Sequence, residues 1–279
     1  MPGSGQTLVA LGLMRALRQR NLRVQSFKCG PELTDLRYHA LAADREPVSL
    51  DTWLSSRSHL QAVYNRYGEK ADVCVVEGRA GLFDGFRKTQ GSSAEMARLM
   101  KIPVVIVVSA RNAGYSIAAM LYGFKHFNTE LKIAGVIFNQ VTSAAQYGFL
   151  RETCAEAGVE CLGYLPYLEE TGLPPRHQAL TLPARKSLDL LLNQVAEQLA
   201  QHVDIDKLLN LSTRESRIEA YFPLYLFASL HFRNRNGYVD RQAQTANRIG
   251  FRSGFSFRVS PEHRQDKRRH HTFQSGIWQ

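Results

Sequence analysis

The sequence predicts an α/β protein in which helices cover both faces of a mostly parallel sheet, over roughly residues 7–211. Three observations carry this. Helical stretches and short apolar runs alternate along the chain. The run Pro103–Val108 is apolar at consecutive positions, as a strand covered on both faces requires. Leu188, Leu191, Leu192, Val195 and Leu199 recur at i, i+3, i+4, i+7 and i+11, which marks an amphipathic helix that closes the domain.

Taken in order, residues 7–20 read as a helix and Leu22–Phe27 as a strand. Residues 59–68 read as a second helix, and Asp72–Val76 as a buried strand that ends at Glu77-Gly78. After the Pro103–Val108 strand come a helix over 115–127, a strand over 133–138, a helix over 146–157 and a strand over 160–165. Beyond about Leu211 the character changes. Tyr221, Phe222, Tyr225, Phe227 and Phe232 mix with Arg and Asn, and neither period persists, so residues 213–279 are expected to form an irregular or disordered basic tail.

At 279 residues and 44% hydrophobic content, the chain can bury one core of roughly 200 residues. No run approaches the ~18 apolar residues of a membrane span, and MPGSGQT lacks the basic and apolar regions of a secretory signal. The expectation is a soluble cytoplasmic protein with no membrane partner. Cys29, Cys74, Cys154 and Cys161 show neither a C-x-x-C pair nor zinc-ligand spacing, so they read as reduced, mostly buried thiols. The net charge of +10 is uneven: residues 213–279 hold 12 Lys and Arg against 5 Asp and Glu, hence +7, and leave +3 for the first 212.

Three segments carry chemistry. Gly3-Ser4-Gly5-Gln6-Thr7 stands directly before a helix, where backbone N–H groups and the positive helix end hold phosphates and a hydroxyl holds magnesium. Gln6 occupies the position where that motif wants a lysine, and the plainer reading of such a segment is a flexible terminus. Glu77, at the carboxyl end of a strand, is well placed to hold magnesium against a nucleotide. It opens EGRAGLFDG, whose glycines and second carboxylate, Asp84, favour a functional loop over a solvated strand end. GPELTDLRYH, residues 30–39, reads as a loop after a strand, with Glu32 and Asp35 on the sheet edge where open α/β sheets bind ligands. Solvated loop acids are the alternative there.

The strings GSGQT, FKCGPELTDLRYH, SLD at Ser49–Asp51, VVEGRAGLFDG, GSSAEMARLMKIPVVIVVSAR, IAGVIFNQV, GYLP and LPPRH occur together, in one order. In that order and spacing the chain resembles the cobyrinate a,c-diamide synthase family across residues 2 to about 212. The resemblance implies a three-layer P-loop, dethiobiotin-synthetase-like synthetase domain over residues 1–212. It also implies ATP and Mg2+ as cofactors and a corrinoid acid, cobyrinate, as substrate. The side-chain carboxylates a and c would become acyl phosphates, and ammonia from a glutaminase domain would convert them to amides. Gly3, Ser4, Gly5, Gln6 and Thr7 would bind nucleotide, and Thr7 and Glu77 would hold the metal. Glu77, Asp84, Asp35 and Glu32 would be the catalytic acids, the last three on the corrinoid side.

The chain also departs from the pattern. Gln6 removes a cation from beside the phosphates, Ser109 stands where the family has Asp, Glu32 is one carbon longer than the usual Asp, and Arg79-Ala80 replaces apolar residues. Loss of the lysine is expected to slow the chemistry severely. The resemblance further implies a central strand ahead of the glycine loop and a glutaminase domain of about 200 residues after position 215 or so. The 67 residues from 213 onward contain no cysteine nucleophile, so no glutaminase activity is expected of them. Two rival readings are another P-loop carboxylate-activating enzyme, of the dethiobiotin synthetase kind, and a non-catalytic remnant. A third is a nucleic-acid binder built on the tail's Lys267-Arg268-Arg269-His270-His271 run, although no recognisable nucleic-acid module surrounds it. A homodimer is among the assemblies this reading allows.

Overall fold

The computed structural model describes residues 3–79, 81–111, 113–169 and 182–212. The predicted tail and the LPPRH string lie outside them. Within them the order is α1 (Gln6–Gln19), β1 (Val24–Cys29), α2 (Leu33–Ala43), β2 (Val48–Leu50), α3 (Arg57–Gly68), β3 (Val73–Glu77), α4 (Ser93–Met100), β4 (Val104–Ser109), α5 (Ser116–His126), β5 (Ile133–Val141), α6 (Ala144–Glu156), β6 (Cys161–Pro166), α7 (Leu182–His202) and α8 (Ile205–Leu211). Four helices start on a side chain that accepts a backbone N–H, which satisfies an otherwise orphaned donor: Ser56, Ser92, Ser143 and Asp204.

All described strand pairings within the sheets are parallel, as predicted. They form two three-stranded sheets, however, in the orders β2-β1-β3 and β4-β5-β6. Alternate strand residues face opposite layers. Val73, Val75, Val105 and Val107 pack with α1, α2, α7 and α8, whereas Val76 packs with α3 and α4 and Val108 with α5 and α6. Both faces of the strands are therefore covered by helices, which is why their sequences are apolar without interruption.

Four elements escaped the sequence reading: α2, β2, α4 and α8. The segment from Gly30 to His39 is not a loop, as expected from its Gly, Pro and acids. Its connector ends at Glu32, and Asp35 sits in the first turn of α2. Pro31 and the acids are compatible with a helix start, and Tyr38 and Ala42 bury themselves against the α1–α7 layer, so packing settles the helix where local pattern did not. β2 is only three residues long, too short to show a period.

Helices α1 and α7 approach closely at Gly12, where a Cβ would stand 2.3 Å from Val195 Cγ1. In the Gly12→Ala protein, a helix-propensity gain of up to about 1 kcal/mol opposes an overpacking cost of about 1–3 kcal/mol against a stiff valine. The expected result of urea unfolding is a net loss of about 1–2 kcal/mol. Gly148→Ala in α6, where the added carbon meets nothing within 4 Å, is expected to be neutral or stabilising by up to about 1 kcal/mol.

Candidate functional site

Residues 3–5 form a tight loop that leads into α1. Gly5 is the N-cap, in the left-handed region at φ 74°, and a Cβ on it would fall 2.0 Å from Asn139 Nδ2. Only glycine fits there. Asn139, near the carboxyl end of β5, donates to the Ser4 carbonyl at 2.9 Å, and Gln6 Nε2 donates to the Gly78 carbonyl at 3.0 Å, just past β3. The loop is thus tied to the carboxyl ends of both sheets. The buried Ser4 hydroxyl has no hydrogen-bond partner among the described residues. Beside it opens a cavity of about 420 Å³, lined by Gly3, Ser4, Ser109, Arg111 and Ser116 among others.

Next to the loop lies a buried cluster of charges. Thr7 Oγ1 donates to Glu77 Oε1 at 2.7 Å, and Lys28 Nζ donates to the same oxygen at 2.9 Å. The other oxygen, Oε2, meets His39 Nε2 at 2.5 Å. Lys28 Nζ also lies 3.2 Å from Asp35 Oδ2 and 3.4 Å from Glu32 Oε2. Position follows from topology: Lys28 and Glu77 are direct ladder partners on β1 and β3. Asp35 and His39, four residues apart, share one face of α2. Burial opposes ionisation of Glu77, but the His39 hydrogen bond, the Lys28 charge and the Thr7 hydroxyl outweigh it and lower its pKa to about 2. Burial likewise disfavours the Lys28 ammonium, yet Glu77, Asp35 and Glu32 together raise its pKa above 10.5.

Of the residues singled out from sequence, the structure brings Gly3, Ser4, Gly5, Gln6, Thr7, Glu32, Asp35 and Glu77 to one rim. Gln6 turns its amide to the β3 end rather than into the loop it was expected to serve. Asp84 stands apart: it is exposed, and its backbone N–H bonds back to Gly81 at 3.4 Å. Ser109 donates to Gln140 Oε1 at 2.8 Å, and the exposed Arg79 lies across Gly30. Among the described residues no three of His, Cys, Asp or Glu are grouped to hold a metal ion. The Thr7 hydroxyl and the ionised Glu77 carboxylate lie side by side, two oxygen donors of the kind a hard cation could use. Lys28, His39 and Asn139 were missed. The signal for the first was a lone lysine inside an otherwise uncharged strand, VQSFKC.

Because the pKa of Glu77 falls on folding, its contribution to stability is present above its ordinary value of 4.5 and is lost as pH falls from there toward 2. The contribution is on the order of 3 kcal/mol. Urea unfolding between pH 6 and pH 3 is expected to show a steeper loss of stability in the unmodified chain than in Glu77→Gln. Parallel slopes would contradict the assignment.

Residues 2–180 match the family described as CbiA: CobQ/CobB/MinD/ParA nucleotide binding domain. A hydrogenobyrinate a,c-diamide synthase of Brucella ovis is 39% identical over 220 residues, 78% of this chain and 50% of that protein. A cobyrinate a,c-diamide synthase of Listeria monocytogenes is 36% identical over 226 residues, 79% of this chain and 50% of that protein. A solved cobyrinic acid a,c-diamide synthase of Mycobacterium smegmatis, with bound ADP and magnesium, is 13% identical, covers 70% of this chain and 91% of that one, and has a TM-score of 0.42. The chain spans about half the length of the curated relatives it matches. It belongs to the CobQ/CobB/MinD/ParA nucleotide-binding domain family, and the two curated relatives named above are a,c-diamide synthases.

Proposed function

We propose that this chain carries the ATP-using half-reaction of corrinoid a,c-diamide synthesis. The observation that supports it most is the joining of the glycine loop to the Lys28–Glu77 cluster through the 2.7 Å contact between Thr7 and Glu77. Loop N–H groups and the helix α1 terminus cradle the phosphates, and the unpartnered Ser4 hydroxyl adds a donor beside them. Thr7 and Glu77 would hold magnesium, which would supply charge screening for the phosphates. The cluster itself favours this: three carboxylates face one lysine, so a polyanion entering alone would meet net negative charge.

In the reaction a carboxylate oxygen of the corrinoid acid attacks the γ-phosphorus, the bond to the β-phosphate oxygen breaks and ADP leaves. Ammonia then attacks the acyl carbon, the carbon–oxygen bond to phosphate breaks, and the proton lost from nitrogen leaves with the phosphate. Glu32, half-buried on the connector before α2, orients the incoming substrate, while the buried Asp35 in the first turn of α2 acts on it only through Lys28. Asp84, on an exposed loop, approaches from the solvent side. Glutamine is the ultimate nitrogen source, with its hydrolysis carried out outside residues 3–212.

Binding of Mg·ATP by the full chain, followed by calorimetry, is the first test, and Thr7→Ala is expected to weaken it about tenfold or more. Gln6→Lys restores a cation at the loop and is expected to raise ATP turnover roughly tenfold or more. Equal turnover would show that the lysine position is irrelevant here. Stimulation of ATP turnover by cobyrinate or hydrogenobyrinate supports the substrate assignment. Stimulation by diaminopelargonate instead would move the chain to the dethiobiotin-synthetase-like reading.

A further inference from the structure

Gln6 leaves the glycine loop without the cation its position calls for, and Lys28 is not free to replace it. Glu32, Asp35 and Glu77 already surround that ammonium. A different cation stands on the β4–β5 side of the loop. The cavity of about 420 Å³ beside Gly3 and Ser4 is also lined by Ser109, the last residue of β4, by Arg111 on the connector that follows, and by Ser116 of α5. Among the described residues no carboxylate lines it.

Asn139 fixes this placement. Its side-chain amide donates to the Ser4 carbonyl at 2.9 Å, and its own carbonyl accepts the Ala110 N–H at 2.7 Å. Gln146 Nε2 donates to the Ala110 carbonyl at 2.9 Å, and the Arg111 N–H donates to the Ser109 hydroxyl at 3.2 Å. The backbone that carries Arg111 is thus built against the glycine loop through one shared residue. The Arg111 side chain itself is exposed, with no ion pair or hydrogen bond among the described residues.

These features select an anion. One arginine and three hydroxyls without an acid attract negative charge, whereas three carboxylates crowd the opposite side of the loop. The Ser4 side chain is only 3% exposed, and its unpartnered hydroxyl lies in the cavity wall, where an arriving phosphate oxygen relieves it. A Cβ added to Gly3 or Gly114 meets nothing within 4 Å, so bare backbone borders open space on two sides of the cavity. A guanidinium fork matches two phosphate oxygens at once. The inner phosphates of a nucleotide sit at the N-terminus of α1. The outermost one then falls beside Gly3 and Ser4, at the mouth of this cavity.

We propose that Arg111 takes over part of the work of the absent loop lysine by pairing with the terminal phosphate of Mg·ATP held on the glycine loop. The proposal rests on the nucleotide site assigned above and adds one binding residue to it. Charge that shifts on the terminal phosphate during transfer then meets an arginine of the same chain, in the manner of phosphoryl-transfer enzymes that carry such a residue in cis.

Calorimetric titration with Mg·ATP, Mg·ADP and inorganic phosphate compares the full chain with Arg111→Gln, Arg111→Lys and the double variant Gln6→Lys, Arg111→Gln, each shown by circular dichroism to be folded. Arg111→Gln is expected to weaken Mg·ATP binding about tenfold or more and Mg·ADP binding no more than about twofold. Arg111→Lys, which keeps the charge but loses the fork, is expected to fall between. Lysine at position 6 is expected to recover most of the loss, because the two changes act on one phosphate. Arg111→Ala repeats the measurement if the glutamine variant does not fold. Unchanged Mg·ATP affinity in Arg111→Gln, or equal losses for ATP and ADP, overturns the proposal and leaves the nucleotide site standing. Inorganic phosphate bound as tightly as Mg·ATP, and lost in Arg111→Gln, makes the cavity a free-phosphate site and overturns the assignment to ATP. An unmodified chain that binds neither nucleotide overturns the nucleotide site and the proposal together.

Discussion

The contact on which the site depends is the buried pairing of Lys28 with Glu77. Taking either charge out of water alone costs several kcal/mol, so each offsets much of the burial cost of the other. Their register on adjacent strands places them side by side, and the further ligands of the pair come from three other segments: Thr7 from α1, Asp35 and His39 from α2, Glu32 from the connector before it. One ion pair thereby fixes how two helices sit on two strands. The same saturation holds Glu77 ionised, which a metal-holding carboxylate has to be.

The glycine loop plays the corresponding part between the two sheets. Residues 4–6 touch the β2-β1-β3 sheet through Gly78 and the β4-β5-β6 sheet through Asn139. Gly5 admits Asn139 at a distance no side chain would allow. Below the loop, α1 spans both sheets on the face it shares with α7, held close by the bare backbone at Gly12. The shape of the glycine loop and the joining of the sheets are therefore one structural problem, solved by a few residues at the start of α1.

Strands buried on both faces were legible because burial on two sides leaves an uninterrupted apolar signature, as in β3 and β4. The placement of the glycine loop, Thr7 and Glu77 was legible because its signals are local: a turn before a helix, a carboxylate at a strand end. Asp35 was legible as an acid but not as a helical residue, since the packing that makes α2 a helix is tertiary. Lys28 and His39 were missed for a related reason. A lysine in a strand reads as a surface residue unless its three carboxylate neighbours, which lie up to 49 positions away, are already in place. The division into two sheets was likewise invisible, because strand order is not a property of any one segment.

Calorimetric titration of Mg·ADP into the full chain and into Lys28→Met, each first shown by circular dichroism to be folded, tests the central claim most directly. If the Lys28–Glu77 cluster and the glycine loop form one charge-coupled nucleotide site, removing the ammonium weakens binding at least tenfold. A folded Lys28→Met protein that binds Mg·ADP with unchanged affinity would contradict the account.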